Sequence, residues 1–328
     1  MRDALALTWM AHRRTTGLCA GLDLELLVLE TDLRGPLRYL LLSARTTALL
    51  LRRRPRILLV QNPSLVLSVL AVVLRPLLRY RLIVDAHNEA VTPFIHQQRW
   101  LRWLSRWILR KAELTLVTNG ALAAAVATQG GRAFTLPDPI PQTPAPAVSR
   151  LRGEFNAVLI ATFAADEPVR AVFEAVRASN IELYVTGNHR KLDVATAESV
   201  SPNVRFTGFL SEGDYWKLLH SADAIIDLTL MDNCLVCGAY EALAAGKAML
   251  LSANPASIEL FGDSALYTDN TPNDVRRMLV QLRNERGRLE RAAVLKRAEL
   301  TASWTLRARD LADILRDDAT HTQVRTGL

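Results

Sequence analysis

A short polar run follows one of the apolar segments in the first half of the chain. Residues 82–85 are predicted to form a strand, and His87, Asn88 and Glu89 come just after it. A histidine and a carboxylate can act as a general acid–base pair, and α/β proteins bind ligands at the carboxyl edge of the sheet. The alternative is a capping segment, in which Asp85 or Asn88 satisfies backbone amides at a turn. We interpret Asp85 in that way and predict that His87 and Glu89 are catalytic.

A second polar run follows the preceding predicted strand. Gln61 and Asn62 come after residues 57–60 and are followed by Pro63 and Ser64. With Asn88, Asn62 could shape a substrate pocket at the same edge of the sheet. An asparagine turn with proline at the start of a helix explains the run equally well.

The first predicted strand is followed by basic and hydroxyl side chains. Arg13, Arg14 and Thr15 lie at the entry to a predicted helix, whose free amides attract anions. They could bind a phosphate, although neighbouring arginines are also common on solvated helix faces.

In the second half, a polar loop leads into a predicted helix over residues 242–246. Asp232 opens the loop, Gly238 would let a ligand approach the backbone, and Glu241 could accept hydrogen bonds from both hydroxyls of a ribose. The alternative for Glu241 is that it only complements the helix dipole. Cys234 and Cys237 have C-x-x-C spacing, but the chain has no second such pair, so we predict no metal site and no redox role.

One predicted helix combines tryptophans with basic residues. Residues 99–111 place Trp100, Trp103 and Trp107 at helical spacing, and the same segment contains four arginines and one lysine. This composition is typical of an interfacial helix among anionic lipid headgroups. The alternative is a crossover helix that packs the same face on its own sheet. We favour the membrane interpretation.

The elements that would position these residues are two series of βα units. In the first, we predict strands at 4–9, 25–29, 57–60, 82–85, 114–117 and 133–136. In the second, we predict strands at 157–161, 182–186, 204–206, 224–228, 248–251 and 265–267. Such a series forms a parallel sheet covered by helices.

Five prolines between residues 137 and 146 mark the boundary between the two series. We therefore predict an N-terminal Rossmann-like domain over 1–138, a linker over 139–150 and a C-terminal Rossmann-like domain over 151–300. The chain from Asn273 to about Asp317 is predicted to be helical, with a helix start at Ser303 and Trp304, and its part over 301–317 would pack back on the first domain. Residues 318–328 are predicted to be a tail.

Length, charge and cysteine content limit the number of domains, the partners and the location that this chain can have. With 328 residues, half of them hydrophobic, the chain can bury the cores of two domains. A net charge of +7 suits anionic partners, but no nucleic-acid-binding module is present and we predict no nucleic-acid partner. Three cysteines and no apolar run of about 20 residues predict a cytoplasmic protein, peripheral on the inner face of the membrane.

Several segments of the second half resemble a known family. The segments Asn-Val-Arg-Phe-Thr-Gly-Phe-Leu (203–210), Ser-Ala-Asp-Ala (221–224) and Tyr-Glu-Ala-Leu-Ala-Ala-Gly-Lys (240–247) resemble the donor domain of GT-B glycosyltransferases, in order and spacing. Residues 117–119 and 136–139 look like the end of the first domain of such enzymes. Residues 61–64 and 85–88 are also similar, more weakly, to the mannosyltransferase that extends chitobiosyl-diphosphodolichol.

The resemblance implies an α/β fold of two Rossmann-like domains facing a cleft, a nucleotide-sugar donor linked to UDP or GDP, and no cofactor or obligatory metal. It implies a carboxylate at Glu241 that grips the ribose and a first glutamate at the position of Asn233, where this chain has an amide. The acceptor would be lipid-linked or a glycan, in polysaccharide or cell-envelope synthesis. The expected donor-binding residues are Glu241, Tyr240, Gly238, Asn233, Asp232, Thr229, Gly187 and Asn188.

Two other functions are compatible with the same architecture. A nucleotide-sugar epimerase would turn over its substrate without an acceptor. A non-catalytic partner subunit would bind nucleotide or lipid only, and the missing first glutamate at Asn233 permits that role.

Overall fold

The computed structural model describes residues 3–62, 64–91, 99–177, 179–193, 196 and 200–324, with side chains for all of these except Glu89 and 317–324. The chain divides into two compact units. The first comprises Met1–Pro139 and Ala302–Leu328, and the second comprises Ile140–Thr301.

The first unit is built on a six-stranded parallel sheet in the order β2-β1-β3-β4-β5-β6. Its strands are β1 Ala4–Thr8, β2 Glu25–Val28, β3 Ile57–Asn62, β4 Arg81–Ala86, β5 Leu114–Val117 and β6 Ala133–Thr135. Its helices are α1 Arg13–Gly21, α2 Gly35–Arg53, α3 Leu65–Leu78, α4 Asn88–Val91, α5 Arg99–Lys111 and α6 Gly120–Thr128.

The period-2 alternation of the strands gives this sheet two buried faces. Leu5 and Leu7 of β1 belong to one core cluster, to which α2, α3 and α5 also contribute buried side chains. Ala4 and Ala6 of the same strand belong to another, which contains Leu18 of α1. Helices on both faces are the usual cover of a parallel sheet.

The second unit has the same design. Its strands, in the order β12-β11-β10-β7-β8-β9, are β7 Phe155–Leu159, β8 Ile181–Thr186, β9 Val204–Gly208, β10 Ala224–Asp227, β11 Ala248–Ser252 and β12 Leu266–Thr268. Its α-helices are Val169–Val176, Glu212–Ser221, Cys237–Ala245, Pro255–Phe261 and the long helix Pro272–Val324, with 3-10 turns at His189–Lys191 and Gly262–Ser264. The prediction of two Rossmann-like sheets is confirmed.

Several predicted boundaries differ from the structure by one or more residues, and three of them have a structural reason. β3 runs on through Gln61 and Asn62, because both residues pair with β4. β7 begins two residues earlier than predicted, since the polar side chain of Asn156 is held by the carboxylate of Asp223. No helix begins at Ser303, because Trp304 lies inside the continuous helix Pro272–Val324, and the same helix extends into the predicted tail.

The C-terminal part of the long helix packs on the first unit. Leu311 and Leu315 belong to the core cluster of α1, and the indole N–H of Trp304 donates to the carbonyl of Pro137 at 3.0 Å. A Cβ on Gly21 would lie 2.0 Å from the Trp304 ring, so a glycine is required there. None of the helices in the described ranges has the length and apolar character needed to cross a membrane.

Candidate functional site

In the first unit, a buried arginine joins three segments at the carboxyl edge of the sheet. The Nε of Arg14 donates to Oδ1 of Asp85 at 2.8 Å, and its guanidinium also bonds Asp138 and the carbonyl of Leu136. Burial disfavours the charged form, but the two carboxylates outweigh it and raise the pKa of Arg14. The guanidinium of Arg14 is buried, and its hydrogen bonds go to Asp85, Asp138 and the Leu136 carbonyl. Arg14 is therefore a charged structural residue, and the prediction that it binds a phosphate is corrected.

This arrangement also corrects the interpretation of Asp85. Its side chain is fully buried and binds Arg14 instead of capping a turn. Removing one partner of such a buried pair is costly, because it leaves the other charge uncompensated.

His87 lies beside this pair and contacts Gln61. Nε2 of His87 is 3.4 Å from Nε2 of Gln61, and the Thr8 hydroxyl is 2.5 Å from Oε1 of the same amide. Nε2 of His87 also lies 4.0 Å from Oδ2 of Asp85, so this ring nitrogen faces both an amide and a carboxylate. Burial lowers the pKa of His87 to about 4, against the opposing effect of Asp85, so the ring is neutral at pH 7.

A second imidazole touches the first edge to face. The ring centroids of His12 and His87 are 4.6 Å apart. Nδ1 of His12 accepts the Arg14 amide at 3.3 Å as the cap of α1, and burial lowers the pKa of His12 as well. Two imidazoles, each with a pKa lowered by burial, thus lie in contact at this edge of the sheet.

The lowered pKa of His87 predicts an acid-sensitive contribution to stability. Because the pKa of His87 is lowered on folding, its contribution is present above about pH 6.5 and is lost as pH falls toward 4. We expect the free energy of unfolding to fall by about 2 kcal/mol less between pH 7 and 5 in His87→Gln than in the wild type. Urea unfolding at both pH values measures this, and equal losses would mean that His87 does not titrate with folding.

The other predicted residues of the first unit have different environments. Arg13 is exposed on α1, whereas Thr15 is fully buried. The burial of Thr15 corrects the prediction that its hydroxyl binds a phosphate. Asn62 is also fully buried, and its amide has no hydrogen-bond partner in the described part of the chain. Asn88 is buried at the start of α4. The side chain of Glu89 lies outside the described set.

In the second unit, Glu241 is a buried carboxylate on the helix Cys237–Ala245. It is 5% exposed and accepts a hydrogen bond from the hydroxyl of Tyr215. Tyr240, one residue earlier, packs its ring on Phe261 in the hydrophobic core. The side chain of Tyr240 is thus part of the core, which corrects the prediction that it binds the donor.

Gly238 has a different role from the predicted one. Its N–H donates to Oδ2 of Asp227 at 2.8 Å, and a Cβ on Gly238 would lie 2.4 Å from that same atom. The group that approaches the Gly238 backbone is therefore a carboxylate of the chain itself. Burial raises the pKa of Asp227, against the Gly238 hydrogen bond, and the neighbouring Glu241 raises it further.

Sequence reasoning missed two acidic residues after β7. Glu167 accepts the amides of Thr162 and Phe163, at 2.9 and 2.7 Å, and so holds the turn that follows the strand. Oδ2 of Asp166 accepts the hydroxyl of Thr229 at 2.7 Å, which places the predicted donor-binding Thr229 beside this turn. The signal that could have found them is an acidic pair before a proline, just after a buried strand.

The turn after β8 requires a glycine. Gly187 has φ +86°, and a Cβ there would lie 2.0 Å from the carbonyl oxygen of Ala161. Asn188 next to it accepts the amide of Arg190 and caps a 3-10 turn. In the loop before the helix, Asp232 is exposed and Asn233 has φ +55°.

We expect Gly187→Ala to lower the free energy of unfolding by at least about 2 kcal/mol, because the backbone is left-handed and the methyl group meets a carbonyl. Gly208→Ala separates the two causes, since Gly208 has φ +68° and no atom near its Cβ position. Gly120→Ala is the control, with open space and no positive φ. Chemical unfolding of the three variants compares them, and a Gly187 variant as stable as the Gly120 variant would contradict the expectation.

On α5 the three tryptophans do not share one environment. Trp100 and Trp103 are 62% and 64% exposed. Trp107 is half-buried and packs against the core cluster beside Ile108, which corrects the prediction that it faces outward. Among the described residues, no group of three or more His, Cys, Asp or Glu side chains could hold a metal ion.

No family model matches this chain, and no curated protein matches its sequence. Solved structures do match its fold. HepE from Anabaena, in complex with UDP and glucose, has a TM-score of 0.74 at 12% identity, over 97% of this chain and 100% of that one. Sucrose-phosphate synthase from Thermosynechococcus elongatus has a TM-score of 0.78 at 13% identity, over 98% and 100%.

A third similar structure is assigned to a different activity. A Listeria monocytogenes protein described as a UDP-N-acetylglucosamine 2-epimerase has a TM-score of 0.60 at 12% identity, over 98% of each chain. Together these similarities show that the chain has the GT-B fold, as predicted.

Proposed function

We propose that this protein is a glycosyltransferase that moves a sugar from a nucleotide-sugar donor to an acceptor hydroxyl. The observation that carries the proposal is Glu241, a buried carboxylate oriented by Tyr215 on the helix Cys237–Ala245. A carboxylate with a fixed position can accept hydrogen bonds from both ribose hydroxyls of a nucleotide. Support for a UDP-linked donor comes from the HepE complexes, which hold UDP or UDP-glucose.

In this proposal the first unit supplies the groups that act on the reacting sugar. His87 is neutral at pH 7 and can donate from its protonated ring nitrogen to a sugar hydroxyl. Glu89 is then the candidate general base that deprotonates the acceptor. Arg14 and Asp85 are positioning residues, because they hold the strand ends on which His12 and His87 lie.

We further propose a lipid-linked acceptor and a peripheral membrane location. The support is α5, where Trp100 and Trp103 are exposed among basic residues. Amphipathic helices of this composition lie in the headgroup region of anionic membranes. Such a location would bring the enzyme to an acceptor that cannot leave the bilayer.

A thermal-shift screen of UDP, GDP and their sugars tests the donor. A ligand that binds only the folded state raises the melting temperature, by an amount that grows with its concentration over Kd. We expect a UDP or GDP compound to stabilise the wild type and to have a weaker effect on Glu241→Gln. Equal shifts for the two proteins, or none with any nucleotide, would contradict the proposed donor site.

The epimerase neighbour makes an acceptor-independent reaction the second candidate. An epimerase converts its UDP-sugar without any acceptor. Incubation of a donor that binds with enzyme alone, followed by analysis of the sugar, separates the two functions.

A further inference from the structure

The outer surface of the first unit has an unusual charge distribution. α2, α3 and α5 carry four, one and five basic residues, and none of the three contains an aspartate or a glutamate. Between Leu33 and Val84 the sequence has no acidic residue at all. Three neighbouring helices of one sheet therefore present a nearly pure positive charge.

The same helices have apolar side chains that point away from the core. On α2, Leu42, Thr46 and Leu50 are buried, whereas Leu37 and Leu40 are exposed on the opposite side of the helix. A helix that packs on one side only is usually polar on the other. α2 has leucines on both sides, so we infer that its outer side contacts a binding partner.

α3 repeats this pattern and lies between the other two helices. It contacts both α2 and α5. Its buried residues include Leu67 and Ala71, while Val73 and Leu77 are exposed. The three helices thus lie side by side, each with apolar residues on the side away from the core. We call this surface the α2–α3–α5 face, with Leu37, Leu40, Val73, Leu77, Trp100 and Trp103 as its apolar residues.

We propose that the α2–α3–α5 face, and not α5 alone, is the surface that binds an anionic lipid bilayer, with α3 at its centre. The proposal rests on the membrane association proposed above and extends it to two helices that the sequence did not indicate. In such a complex the apolar side chains would insert among the acyl chains, and the surrounding basic side chains would contact the anionic headgroups.

Charge argues against a second copy as the occupant. A two-fold dimer would bring the same face of each copy together. Ten basic residues and no carboxylate on these helices would then face an identical set. Within the described residues, carboxylates of neighbouring segments pair with Arg53 and Arg75, through Glu25 and Glu113, which leaves the face strongly positive.

The test is sedimentation of the full chain with vesicles of phosphatidylglycerol and phosphatidylcholine, and with phosphatidylcholine alone. The decisive variant is Leu40→Ser with Leu77→Ser, which changes α2 and α3 and leaves α5 intact. These leucines are 67% and 70% exposed, so the fold should tolerate both changes. Leu295→Ser, at a residue 73% exposed in the second unit, is the matched control.

We expect the wild type and the control to bind the anionic vesicles and the double variant to lose at least about tenfold in partition coefficient, with an unchanged melting temperature. Binding by the double variant equal to that of the wild type would overturn the three-helix proposal. If only Trp100→Ser with Trp103→Ser then lost binding, α5 alone would be the anchor and the proposed membrane location would stand.

Two further outcomes would also overturn it. A wild type that binds neither kind of vesicle has no lipid-binding face. A wild type that forms dimers in analytical ultracentrifugation, with dimers absent in the double variant and no vesicle binding, identifies a second copy as the occupant. Nucleotide titration of the same preparations shows independently whether the proposed donor site is intact.

Discussion

Replacement of His87 or Glu89 by alanine is expected to lower kcat by about 100- to 10,000-fold and to leave donor affinity nearly unchanged. The physical reason is that both residues lie at the carboxyl end of β4, where they would meet the reacting sugar and not the nucleotide. Initial rates at saturating donor, together with nucleotide titration by calorimetry, measure the two quantities separately.

The control for this experiment is Glu259→Ala, which removes an exposed carboxylate outside the predicted sites. Gln61→Ala adds information about position, because it removes the amide that faces His87 Nε2 without touching the ring. We expect it to lower kcat less than His87→Ala and to change the imidazole ¹⁵N chemical shifts of His87, because Nε2 loses a contact. A change of only a few-fold in both alanine variants would move catalysis to Asp232 and its neighbours.

The second large effect concerns nucleotide binding. Glu241→Gln should raise the Kd of the preferred nucleotide about 10- to 150-fold, which corresponds to about 1.5–3 kcal/mol. A neutral amide has one acceptor oxygen in place of two, and it cannot form charge-assisted hydrogen bonds to two hydroxyls.

Tyr215→Phe separates two roles at this site, the contact of Glu241 with the nucleotide and the orientation of Glu241 by Tyr215. It removes the hydroxyl that donates to Glu241 and leaves the carboxylate in place, so a smaller loss of affinity is expected. Glu259→Gln serves as the matched exposed control. If Glu241→Gln bound nucleotide as tightly as the control, Glu241 would only complement the dipole of its helix.

The strands could be predicted from the sequence because each is a short apolar run bounded by turn residues. All twelve predicted strands occur in the described chain, most within two residues of the predicted ends. Gln61 and Asn62 were placed beyond β3 because polar residues usually end a strand. Their inclusion depends on pairing with β4, which local composition does not report.

The contacts of the candidate site were less predictable, because they join residues far apart in the chain. Arg14 binds Asp85 and Asp138, 71 and 124 residues away, and two adjacent arginines give no sign of which one is buried. Asp227 was missed because it ends an apolar strand, and only the fold brings the Gly238 amide to it. The sequence did not indicate that Leu40 and Leu77 are exposed, because apolar residues in a helix are usually buried.

The return of the chain to its first unit has a consequence for biosynthesis. Leu311 and Leu315 cover part of one face of the first sheet, yet they are translated after the whole of Ile140–Thr301. At about 5–20 residues per second, roughly 160 intervening residues take about 8 to 30 seconds to emerge. During that interval part of one face of the nascent N-terminal sheet stays uncovered, whereas the second unit can fold as soon as its own last residues leave the ribosome.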